Sequence, residues 1–223
     1  MLPVFESGAQ QLSTTSDPPP GEAAIGQSAD GVVAWGQSFV ALGSSLSSFG
    51  FYLRGPWRGS GAYVTNIFSW NGSTVSGNPI FSSSVFAASS ITTFGWQDFA
   101  SGGTALTVGA SYFAMFLGSI GPNGLESRFG IQGNDPYVDG KGYFAESVLP
   151  VGATSKELQG ADWKTVKQLS PTSSEIDFGF RATFSSTIVP EPSTFPLLLI
   201  GVVGIAGTIP ARRSRARRQY ASQ

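Results

Sequence analysis

The chain has no His and no Cys. A thiol nucleophile, a Ser-His-Asp triad, a histidine metal centre, disulfides and iron-sulfur clusters are therefore all outside its reach. Carboxylates, Lys, Tyr and Ser are left to do any chemistry. Glycoside hydrolysis needs two carboxyl groups about 5 to 10 Å apart across a cleft; the pairs Glu126 with Glu146 and Asp135 with Asp139 are the candidates. Nothing in the sequence brings either pair together, and solvated surface acids are the simpler reading. A Ser-Lys dyad fails on spacing, because none of the four lysines has a Ser three residues before it. In "GNDPYVDGKGYF", Asn134, Asp135 and Asp139 offer hard oxygen donors of the kind calcium takes. The spacing departs from a calcium loop and lacks its closing Glu, so the segment reads as a turn-rich loop, and neither metal nor cofactor is expected.

Binding is better provided for than catalysis. Trp57, in "RGPWRGSG" between Arg54 and Arg58, is the candidate ligand residue, since a flat ring can cover the apolar face of a sugar while polar neighbours meet its hydroxyls. The alternative is that Trp57 packs across a loop or the rim of the fold. Trp35, Trp70 and Trp96 fall on expected strands and read as core. Asn71-Gly72-Ser73 matches a glycosylation acceptor, but Asn-Gly is also a tight-turn signal, which accounts for it.

Short apolar runs separated by Gly, Ser and Asn must position these residues. In "YVTNIFSW", residues 63–70, Val64, Phe68 and Trp70 share one face and Tyr63, Thr65 and Ile67 the other. In "IDFGFRATF", Ile176, Phe178, Phe180, Ala182 and Phe184 point one way and Asp177, Gly179, Arg181 and Thr183 the other, as in a half-buried antiparallel strand. Further strands are expected over 33–42, 49–53, 92–100, 111–120, 125–132 and 143–149. The stretch "SYFAMFLGSI" is apolar on both faces, which makes it a central strand covered on both sides. No segment before Pro190 shows a helical period with caps. The expectation is all-β: an antiparallel β-sandwich, jelly-roll-like, followed by a C-terminal transmembrane helix.

The charge is divided unevenly. The chain carries 13 Lys and Arg against 14 Asp and Glu, and five of its bases are Arg212, Arg213, Arg215, Arg217 and Arg218. The rest of the chain is mildly acidic, which argues against a phosphate-tracking surface and so against nucleic acid as a partner. Residues 195–209 are oily and would rise about 22 Å as a helix, short of the roughly 30 Å hydrocarbon core. Snorkelling arginines and local thinning of the bilayer close that gap. The arginines would stay on the cytoplasmic side, leaving the body outside. Residues 1–21 carry no basic-plus-apolar leader of the secretory kind.

The succession "VPEPST", "FPLLLIGVVGIAG", "RRSRARR" resembles the PEP-CTERM sorting signal of bacterial surface proteins. The resemblance covers the last 30 or so residues. It implies recognition of Pro190, Glu191, Pro192 and Ser193 by an exosortase, a membrane-embedded cysteine peptidase; retention and orientation by the five arginines; and delivery to the cell surface or the exopolysaccharide matrix. Pro196 departs from a plain apolar span but is tolerable in a first helical turn. A tail-anchored cytosolic protein or an ordinary single-span anchor is the alternative.

The expected organisation is a leader or linker over 1–23, a β-sandwich ectodomain over 24–185, a linker with the Pro-Glu-Pro motif over 186–194, a transmembrane helix over 195–211 and a basic cytoplasmic tail over 212–223. The expected role is that of a non-enzymatic surface or biofilm-matrix protein, partnered by exosortase, membrane and exopolysaccharide. A carbohydrate-binding module and a glycan-active enzyme stay open beside it.

Overall fold

The computed structural model describes residues 8–27, 34–133, 137–145, 154–165 and 176–185; for 22–27, 56–60 and 119–127 it describes the backbone. The segments expected as sorting motif, transmembrane helix and basic tail, residues 186–223, lie outside these. No helix among the described residues is long and apolar enough to cross a membrane.

Twelve strands occur among the described residues: β1 (Gln10–Ser13), β2 (Gly21–Gln27), β3 (Ala34–Val40), β4 (Ser45–Trp70), β5 (Val75–Ser82), β6 (Phe86–Ala87), β7 (Gly95–Ala105), β8 (Ser111–Gly133), β9 (Gly142–Ala145), β10 (Trp163–Thr165), β11 (Ile176–Phe178) and β12 (Phe180–Ser185). A short helix, α1 (Ser155–Gln159), and one 3-10 turn, Ala88–Ser90, complete the elements. All strand pairings are antiparallel.

The two long strands organise everything else. The first part of β4 lies between β12 and β7, with Phe51 opposite both Phe180 and Gln97. Its last part pairs with β8, β5 and β6. The first part of β8 lies between β4 and β3, and its last part takes β2 and β11. One layer is thus β1-β12-β4-β7 and the other β10-β9-β3-β8-β4, and β4 belongs to both. The pairs expected at 49–53 and 63–70, and at 111–120 and 125–132, are each one strand, because β4 and β8 stay paired to each other across the Gly-rich stretches between them.

The main core fills the space between the layers. Phe49, Phe51, Phe180, Ala182 and Phe184 enter it from one side, and Trp35, Phe39, Tyr63, Phe116 and Phe144 from the other, all fully or nearly fully buried. Each such large side chain contributes about 1.5–3 kcal/mol by leaving water. The rings meet mostly edge-on or tilted; Phe116 lies 4.7 Å from Trp35 and 4.6 Å from Tyr63. A second core covers the outer face of the β3-β8-β4 layer, where Phe113, Met115, Leu117, Phe68 and Trp70 meet Leu158 of α1 and Trp163 of β10. Residues 112–117 alternate between the two cores, which bears out the expectation of a strand covered on both sides.

Several expectations need correction. Within residues 1–23, expected as a leader or linker, lie β1 and the start of β2: β1 pairs with β12, Leu12 is buried, and the Thr14 hydroxyl bonds to the carbonyls of Phe178 and Phe180. The expected strand over 176–184 breaks at Gly179, where the chain leaves β8 for β4. Its apolar face is as expected, but Asp177 is buried, accepting from the Gln37 side chain at 2.7 Å and from the Tyr137 N–H at 3.2 Å. A helix is present as well. In α1, Thr154 and Glu157 form a reciprocal capping box, legible as Thr-x-x-Glu yet too short to show a period.

Candidate functional site

The outward face of the β1-β12-β4-β7 layer has no such cover among the described residues. Register places Ser13, Arg181, Gly50 and Asp98 in one row across the four strands. The neighbouring row is Gln11, Thr183, Ser48 and Ala100. Because side chains alternate along a strand, both rows share the solvent side while Leu12, Ala182 and Phe49 point into the core. The row turns on Gly50. A Cβ there would come within 2.2 Å of the Asp98 carboxylate and 2.9 Å of the Gln97 carbonyl. With no side chain in the way, Arg181 reaches across β4 and forms a two-pronged ion pair with Asp98, its Nε 2.8 Å from Oδ1 and Nη2 on Oδ2.

Trp96 forms the wall of the same feature. The Arg181 guanidinium stacks on its indole, 4.4 Å from the ring centroid, and Tyr52 meets it edge-on at 5.3 Å. The indole N–H donates to Asp17 at 3.0 Å, which ties the segment after β1 against β7. Between these groups lies an open cleft of about 520 Å³, lined also by Gln11, Ser13, Ser48 and Thr183. Its hydrogen bonds to Asp98 hold Arg181 more firmly protonated than an ordinary guanidinium; partial burial acts against this, and the attraction of Asp98 and Asp17 adds to it. One guanidinium faces two carboxylates, so the cleft is negative by one charge. Polar groups converging beside an aromatic wall are equipped to bind a small hydroxyl-rich molecule.

Trp96 was expected in the core and is instead half-buried at the surface. Asp98 shares its face by alternation and is exposed, so that placement is legible in "WQD". What the sequence hides is the register that brings Arg181 over Gly50. Trp35 and Trp70 are buried as expected.

The remaining candidates are scattered. Trp57 lies on β4, but its side chain is outside the described residues, as are Asn134, Asp135 and Glu146. Asp139 is exposed beside a smaller hollow of about 210 Å³ with Trp70, Lys141 and Tyr143. The Glu126 backbone is opposite that of Arg58. Each proposed carboxylate pair therefore has at least one member outside the described residues. Among the described residues, no group of three or more acidic side chains is placed to hold a metal ion. Asn71-Gly72-Ser73 is a hairpin turn as expected: the Asn71 side chain accepts from the Ser73 and Thr74 N–H groups, and Gly72 takes a φ of 99° that suits glycine.

No family model and no curated protein matches the chain. Among solved structures, it is similar to the cysteine protease and lectin-like domains of Cwp84, a surface-layer-associated protein of Clostridium difficile, with a TM-score of 0.44 and 14% identity; the match covers 74% of this chain and 34% of that one. Its similarity to T=1 particles derived from infectious bursal virus has a TM-score of 0.26 and 8% identity, covering 91% of this chain and 49% of that one.

Proposed function

We propose that the protein is an exported bacterial surface or exopolysaccharide-matrix protein, sorted and cleaved near the Pro190-Glu191-Pro192 motif by an exosortase. The observation that carries this reading is the order of the terminal segments: a proline-framed carboxylate, an oily stretch over 195–211, then Arg212, Arg213, Arg215, Arg217 and Arg218. Each part has its own physical role. The prolines hold the backbone extended, as a peptidase cleft requires; the oily stretch partitions into the bilayer as a helix; the guanidinium groups resist translocation and fix the topology. In this reading the body is a jelly-roll-like, non-enzymatic ectodomain that reaches the outside without needing disulfides. The test is to express the full chain in a host that carries an exosortase. A shortened form at the surface or in the matrix is expected, and replacing residues 190–192 by Ala should leave the uncut precursor in the membrane. Uncut chain dissolved in the cytosol would overturn the proposal.

A second reading, favoured by the cleft at Trp96, makes the ectodomain a carbohydrate-binding module. An indole wall, carboxylate acceptors and side-chain hydroxyls and amides are the groups that recognise a sugar. It is compatible with the first reading, since a matrix protein can be held by polysaccharide without covalent attachment.

A further inference from the structure

We infer that the cleft spanning Gly50 is a subsite for an uncharged pyranose glycan, with Trp96 as its wall, Asp17 and Asp98 as acceptors of hydroxyl hydrogen bonds, and Arg181 as a donor. This inference rests on the carbohydrate-binding reading and adds to it a location and a charge class.

Location follows from how the cleft is built. Along the exposed rows, β4 presents Ser48 and Gly50, with Arg181 and Thr183 of β12 on one side and Asp98 of β7 on the other. Small residues on the middle strand with long ones on its flanks make a trough in the sheet surface. The trough is closed at one end by Trp96 and Asp17. At about 520 Å³ it falls within the roughly 300–1,000 Å³ of small-ligand sites. Its polar groups are already oriented before any ligand arrives. Asp98 is held by Arg181, Arg181 by the indole face, and Asp17 by the indole N–H. Little ordering would then be required on binding. As a stabilising device the same arrangement is weak, since exposed ion pairs contribute about 0–1 kcal/mol.

Charge class follows from the balance of groups. The one cation is neutralised by its two-pronged contact with Asp98, and Asp17 adds a further negative charge. A uronate, sulfate or phosphate entering the trough would meet the uncompensated carboxylate of Asp17 and would have to compete with Asp98 for Arg181. Neutral hydroxyls would instead donate to those oxygens, as good hydrogen bonds to charged acceptors. Arg181 bonds Asp98 through Nε and Nη2, and Nη1 has no partner among the described residues, so it can donate to a ring or hydroxyl oxygen.

The test is retention of the full-length chain in detergent on immobilised oligosaccharides of glucose, mannose, galactose and N-acetylglucosamine, beside uronate oligosaccharides from alginate and pectin. At least one neutral sugar should retain it, with affinity falling about tenfold in Trp96→Ala and measurably in the isosteric Asp17→Asn, each checked for an unchanged melting transition. If Trp96→Ala does not fold, Asp17→Asn decides. Stronger retention on the uronates with the same dependence on Trp96 and Asp17 would overturn the charge class while leaving carbohydrate binding in place. Retention that survives both substitutions, or that falls with Trp57→Ala instead, would overturn the location. Retention by none of these sugars would overturn both this inference and the reading beneath it.

Discussion

The two outward faces of the sandwich occupy equivalent positions and have opposite fates. On the β3-β8-β4 layer, Phe113, Met115 and Leu117 face away from the main core, and α1 with β10 folds over them. On the β1-β12-β4-β7 layer, the corresponding positions are Arg181, Thr183, Ser48 and Asp98, and nothing among the described residues folds over them. Side-chain chemistry decides which face the chain covers, because burying apolar area contributes about 25 cal/mol per Å², whereas burying polar groups costs unless every one finds a partner. The covered face adds stability; the other leaves its hydrogen-bonding groups lining a cleft.

The sharpest way to break that contrast is to truncate the covered face. Phe113 is fully buried, stacks 4.7 Å from Trp70 and meets Trp163 edge-on at 4.8 Å. Phe113→Ala is expected to cost about 3–5 kcal/mol in urea unfolding, and a loss below 1 kcal/mol would mean that this face is no true core. Gly50→Ala tests the open face where it is tightest. The added methyl collides with Asp98 and the Gln97 carbonyl, so a cost of about 1–3 kcal/mol is expected from overpacking, together with loss of sugar retention.

A smaller effect lies at the cover itself. Thr154→Ala removes the N-cap of α1 and should cost about 1 kcal/mol, seen as faster amide exchange in α1 with the main core unchanged. The hydrogen bonds from the Thr154 N–H and hydroxyl hold the Glu157 carboxyl below its ordinary value. A carboxyl depressed by folding contributes stability above its unfolded pKa and loses it as pH falls through the folded one. Protection of the α1 amides, measured relative to their intrinsic exchange rate at each pH, should therefore fall on acidification below the ordinary glutamate range, and should lose that dependence in Glu157→Gln. Smallest of all is Asp98→Asn. With both partners of the ion pair roughly two-fifths to one-half exposed, its stability should change by about 0–1 kcal/mol; a larger loss would show that the open face carries the fold after all.

The two faces also differ in how readily the sequence discloses them. "SYFAMFL" announces a strand with two apolar sides, and "FGFRATF" one with a single apolar side; period two suffices for both. Partnership is not local, so the sequence does not say that α1 and Trp163 are what covers Phe113. Arg181 reads as outward-facing from alternation alone, yet its meeting with Asp98 depends on Gly50, some 130 positions earlier, being the residue between them. Trp96 reads as core by residue type, and alternation with Asp98 was the better guide. β1 was hidden because four residues, three of them polar, give too little pattern to distinguish a strand from a linker.

Hydrogen-bonded on both edges, to β1 and to β4, β12 is the last strand among the described residues and ends at Ser185. Tension arriving from beyond that residue and directed along the strand would strain the bonds on both edges together, in shear, instead of peeling them one by one. Mechanical resistance of this kind arises from topology and costs no additional thermodynamic stability.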